Sequence, residues 1–150
     1  MFDGSIQLVS GKGAHMSRLL FANMPVRDVV ATRSFFEGLG FAFNDVFSDE
    51  NTASMIVSDQ ATVMFLATSR FEDFISDSIC DTSSAREVLM CISADSRDEV
   101  DSLTDAAIAA GGSSWMKPQD HGFMYGRAFR DLDNHVWEVM WMDPSAVPQS

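Results

Sequence analysis

The order of apolar segments predicts an α+β chain of two tandem βαβββ units, which form a curved mixed sheet around a concave ligand pocket. Three observations carry this. Short apolar runs of strand length alternate with only two helix-length patterns. Each helix pattern opens on a capping residue and closes on glycine. The two caps, Asp28 and Ser96, stand about 68 residues apart, close to half the chain, which reads as an internal duplication. One such unit buries only one face of a small sheet, and two of them create a concavity, the usual setting of a small-molecule site.

The first strand is Leu19 to Val26, with Pro25 at its end or on an edge, where a missing N–H is tolerated. Asp28 caps a helix whose apolar positions are Val29, Phe36 and Leu39, and Gly40 ends it. Phe41 to Phe47 alternates as a strand, the acidic turn at 49–51 follows, and Ala53 to Ser58 and Thr62 to Thr68 read as a further pair. Residues 69–87 are a long Ser- and Asp-rich connection. They also hold Phe71, Phe74, Ile75 and Ile79, so the segment packs against something. Val88 to Ser93 restarts the pattern. Ser96 and Glu99 make a capping box, Val100, Leu103, Ala107 and Ala110 give helical spacing, and Gly111–Gly112 stops the helix. Ser114 to Lys117 is a short strand ending at Pro118. Met124 to Arg130 and Val136 to Met142 form a hairpin with Asn134 at a left-handed turn position.

The chain has 150 residues and a formal net charge of −12, which argues against nucleic acid or an anionic membrane as partner. No apolar run is long enough to span a membrane. Residues 1–15 read as an expression-tag remnant, because Ala14, His15 and Met16 resemble a cloning junction and no signal peptide is recognisable. Residues 16–150 then form a single domain of two modules, at about 18–68 and 87–143. Cys80 and Cys91 are too few for a disulfide scaffold, and Cys91 in its apolar run is most simply a buried thiol. A reduced, cytoplasmic protein is expected.

Phe21 to Asp28 (FANMPVRD), Ser34 to Phe41 (SFFEGLGF) and Gly126 to Val139 (GRAFRDLDNHVWEV) resemble the opening and closing segments of the vicinal-oxygen-chelate superfamily. That superfamily holds glyoxalases, bleomycin-resistance proteins and extradiol dioxygenases, and the likeness runs over roughly residues 18–143, nearest to a glyoxalase-like bacterial subfamily. The resemblance implies a pocket in which metal-using members place four ligands. Transferred to this chain, the first falls on Phe21, the second on Met64 or Phe65, the third on Val88 or Leu89, and the last on Glu138. Only Glu138 can bind a metal. One carboxylate does not hold a divalent cation, so neither a metal nor another cofactor is expected.

Strand alternation puts Glu138 and Met140 on one face of the last strand and Trp137, Val139 and Trp141 on the other, as core. Glu138 is therefore the candidate catalytic residue, as a general base. The competing reading is a buried carboxylate compensated by an arginine or a backbone N–H. Phe21, Asn23, Met64, Phe65, Leu89, Cys91, Tyr125, Arg127 and Met140 are the candidate substrate-binding residues. Arg127 or Arg130 would pair with Glu138 or hold an anionic ligand, and the sequence leaves open which of them faces inward. His135 falls in the hairpin turn and His121 in a glycine-containing loop, where a lone histidine is more often a surface residue than a ligand. The expected function is a glyoxalase- or bleomycin-resistance-like small-molecule-binding protein with a degenerate metal site, working as a homodimer. The alternative is a metal-dependent lyase or dioxygenase using other ligands, such as His121 or Glu87.

Overall fold

The computed structural model describes residues 17–146, together with a two-residue ladder formed by β1 (Gln7–Leu8) and β2 (Ala14–His15). The segment expected to be a tag remnant lies, that ladder apart, outside the described residues. The elements that follow are β3 (Leu20–Val26), α1 (Val29–Gly38), β4 (Ala42–Phe43), β5 (Thr52–Ser58), β6 (Ala61–Ala67) and α2 (Thr68–Glu72). After a long connection come β7 (Leu89–Ser93), α3 (Arg97–Ala109), β8 (Ser113–Ser114), β9 (Gln119–Asp120), β10 (Met124–Arg130) and β11 (Val136–Met142). This is a mixed α+β architecture with two open sheets; βαβββ order is legible in the first half, and in the second half with the two-residue β8 and β9 together in the place of one strand.

The chain divides into two compact units. The first comprises residues up to Arg33 and Phe41–Ser76, and the second Ser34–Gly40 and the residues from Asp77 onward. In the first unit the strand order is β3-β6-β5-β4, with β3 parallel to β6 and the other pairs antiparallel. Pro25 lies in the edge strand, as its missing N–H requires. Alternation gives this sheet two faces, although Thr52, Ser54 and Leu66 on the second face are buried as well. Met24, Val26, Ala53, Met55, Val63 and Phe65 are buried on one face, whereas Phe21 and Asn23 on the other are exposed.

In the second unit the order is β7-β11-β10-β8, with β9 also paired to β10 and β7 parallel to β11. Val100, Ala107, Phe129, Trp137 and Val139 are fully buried between α3 and this sheet. The second half of α1 adds Phe35 and Phe36, whose rings lie 6.3 Å from Phe129 and 5.0 Å from Trp137. Aromatic rings at these separations add to the area they remove from water.

The helix caps form as their residue types dictate. Asp28 Oδ1 accepts the N–H of Ala31 at 3.0 Å, and Ser96 Oγ accepts that of Glu99 at 3.0 Å. The Glu99 carboxylate returns to the N–H of Asp95 rather than to that of Ser96. Gly40 has φ +99°, the left-handed residue that follows a helix end. Three local expectations change. Residues 41–47 form only the short β4 and a 3₁₀ turn, because Asn44 Oδ1 captures the N–H of Val46 and bends the chain. The 69–87 connection begins with α2, a helix the polar composition concealed. Ser114 to Lys117 leaves the ladder at Met116, and β9 follows Pro118.

Candidate functional site

Glu138 sits mid-strand in β11, opposite Cys91 of β7 and Ala128 of β10. Residues in register share a face, so Leu89, Cys91, Glu138, Met140, Ala128 and Gly126 lie together on the side of the second sheet turned away from α3. Leu89 and Cys91 are exposed there, while Glu138 and Met140 are half-buried. The buried core thiol expected at Cys91 is thus an exposed one, because its strand turns that parity outward. Its side chain shares that face with Glu138, its register partner. Partial burial, then the adjacent carboxylate charge, push the Cys91 thiol up from its ordinary value.

A cavity of about 90 Å³ opens beside Glu138 and Met140. Trp115, Met116, Lys117 and Gln119 form one wall, and Met124, Gly126 and Ala128 of β10 contribute to its floor. Three methionines and a tryptophan make a soft, polarisable lining, into which the side chains of Glu138 and Lys117 are set. Sequence reasoning missed the whole Trp115–Gln119 wall. Its signal was the Met-Lys-Pro break in the strand, which forces a bulge over the face.

Of the two hairpin arginines, Arg130 shares the face of Glu138. It is in register with Val136, and its guanidinium lies 4.8 Å from the Trp115 ring centre. Its Nε is buried without a hydrogen-bond partner. No ion pair joins Arg130 to Glu138 among the described residues.

Tyr125 and Arg127 have the parity of the α3 side, so the side chain of Arg127, a residue that borders the cavity, turns toward α3. Arg127 Nη1 pairs with Asp101 at 3.1 Å and Asp105 at 2.9 Å, and Tyr125 donates its hydroxyl to Asp101 at 2.7 Å. The Tyr125 hydroxyl, and after it the Arg127 guanidinium, hold the Asp101 carboxyl below its ordinary value, while burial opposes them. The same face carries Arg97, which binds both oxygens of Asp120 at 2.7 and 2.8 Å.

The hairpin turn is a buried polar cluster. Asp131 accepts the N–H groups of Asp133 at 2.9 Å and His135 at 3.0 Å, and the indole N–H of Trp137 at 3.0 Å. Burial nevertheless pushes its carboxyl up, with His135 and these donors opposing. His135 is fully buried, with Nδ1 2.6 Å from Glu87 Oε1. Glu87 is therefore engaged in the turn, while His121 is exposed in its loop.

In the first unit, Phe21, Asn23 and Met64 share one face, Asn23 being in register with Met64. Phe65 has the opposite parity and is fully buried in the core, so its assignment to the pocket is corrected for packing reasons. The positions that the resemblance gives to metal ligands thus carry Phe21, Met64, Leu89 and Glu138. Three of the four offer no oxygen, nitrogen or thiolate donor, and among the described residues no three His, Cys, Asp or Glu side chains group as a metal site. The residues present do not fit a divalent cation.

Comparison with known proteins bears on the fold. Among solved structures, a hypothetical protein from S. aureus superposes with TM-score 0.72 at 24% identity, over 85% of this chain and 95% of its own. A glyoxalase/bleomycin resistance protein/dioxygenase family enzyme from Burkholderia phytofirmans gives 0.70 at 21%, over 83% and 98%. A genomically encoded fosfomycin resistance protein from Listeria monocytogenes gives 0.61 at 17%, over 91% and 97%. At these identities the likeness is one of fold. No curated protein matches the chain. The family model for the Glyoxalase/Bleomycin resistance protein/Dioxygenase superfamily matches residues 18–139, and the chain belongs to that superfamily.

Proposed function

We propose that the protein binds a small organic molecule on the Glu138 face of its second sheet, without a divalent metal. The observation that carries this reading is the donor set: Phe21, Met64 and Leu89 stand where metal-using relatives would need ligands, and only Glu138 keeps a ligating side chain. A half-buried carboxylate without a cation asks for hydrogen-bond donors. The ligand would supply them, while Met140, Met124 and Trp115 offer it apolar contact. The alternative ligands Glu87 and His121 do not favour a metal enzyme, since Glu87 is bound to His135. The chain is proposed to act in the cytoplasm as a homodimer, and sedimentation at micromolar concentration giving a monomer would contradict the latter.

The test is a thermal-shift screen of a metabolite panel against the wild type and Glu138→Ala. Compounds that stabilise the wild type and lose at least about tenfold in affinity in the variant, as losing a charge-assisted hydrogen bond predicts, support the reading. Ligands whose binding is unaffected by Glu138→Ala contradict it.

A further inference from the structure

The wall of the cavity is held from the far side of the sheet. Trp115 donates its N–H to Ala128 O at 3.3 Å, after which the chain leaves β10 through Met116, with φ 53°, Lys117 and Pro118. It rejoins at β9, where Gln119 pairs with Gly126 and Asp120 with Tyr125. Adjacent strand residues point to opposite faces. Gln119 consequently lines the cavity, and Asp120 reaches the α3 side. There Arg97, the first residue of α3, takes both carboxylate oxygens and the carbonyl of Gly122 at 3.0 Å. Its guanidinium also lies 5.0 Å from the Tyr125 ring centre and 5.3 Å from that of Trp141. Asp120 Oδ1 in turn accepts the N–H of Gly122 at 2.9 Å and closes the turn behind the wall.

We propose that Arg97 is a positioning residue for the ligand cavity: by clamping Asp120 it sets where Trp115, Met116, Lys117 and Gln119 stand, without touching the ligand. This rests on the cavity being the binding site. Most exposed ion pairs do little, but this one is bidentate, stacked on two rings, and tied to a strand of only two residues. A left-handed, non-glycine Met116 gives the wall little intrinsic preference for its conformation. Loss of the clamp therefore frees the wall while leaving the buried contacts between α3 and the sheet in place.

Hydrogen exchange on the free protein tests the clamp independently of any ligand. Arg97→Gln and Asp120→Asn should each speed exchange across residues 115–121 by about tenfold or more, a local opening, with α3 and the β10–β11 ladder unchanged. The double variant should add little to either single change, and Arg97→Lys, which lacks the fork, should rescue only in part. Compounds that bind the wild type through Glu138 should bind these variants more weakly. Unchanged exchange in 115–121, or equal acceleration throughout the second unit, overturns the proposal. A protected wall in a protein that binds no compound counts against the binding site instead, and leaves the clamp standing.

Discussion

At the scale of single residues, the chemistry of the open face is a carboxylate beside a thiol. Cys91 stands in register with Glu138, and its thiol is pushed up because the thiolate would be partly buried and next to a negative charge. Alkylation of Cys91 is therefore expected to rise with pH along a curve displaced upward from an ordinary thiol. Glu138→Gln removes the charge and should move that curve down, which mass spectrometry of the alkylated peptide would read. The linked stability has a definite sign. A thiol raised in the folded state contributes stability that is present below the unfolded pKa and lost as pH rises through the folded one. An identical alkylation profile in Glu138→Gln would show that the two side chains do not interact. In the hairpin, Asp131→Ala leaves two backbone N–H groups and the Trp137 indole without their acceptor. A loss of about 2–4 kcal/mol, measured by urea unfolding, is expected from buried donors orphaned in this way.

At the scale of elements, the caps and glycines explain why the helices begin and end where the sequence says they do. Asp28, Ser96 and Gly40 each do the job their residue type suggests. Less was legible where partners are remote. Parity showed that Tyr125 and Arg127 share a face, but the choice of face rests on Asp101 and Asp105, which lie a helix away in α3. Phe65 shared the apolar character of its neighbours, so only pairing to β3 and β5 separates it from Met64. The same limit hid Asp120, which occupies a two-residue strand no periodicity can reveal. Phe36 is a case in the other direction. Its helical position predicted burial, whereas its place against Trp137 in the second unit was invisible. Phe36→Ala should cost about 3–5 kcal/mol as a large-to-small core change, and a cost below about 1 kcal/mol would mean the aromatic cluster is not part of the core.

At the scale of the whole molecule, a duplicated βαβββ order supports a superfamily fold, and the proposal of metal-free binding rests on the donor set around Glu138. The fold was legible because duplication, capping and alternation all agree over most of the chain. The site was legible at Glu138, and its wall at Trp115–Gln119 was not, because a bulge has no period. The most direct test of the central claim is calorimetric titration of the protein freed of residues 1–15 with Mn²⁺, Fe²⁺, Ni²⁺ and Zn²⁺, repeated on Glu138→Gln. No stoichiometric site dependent on Glu138 is expected for any of the four. One metal per chain, bound by the wild type and lost in Glu138→Gln, would contradict the account.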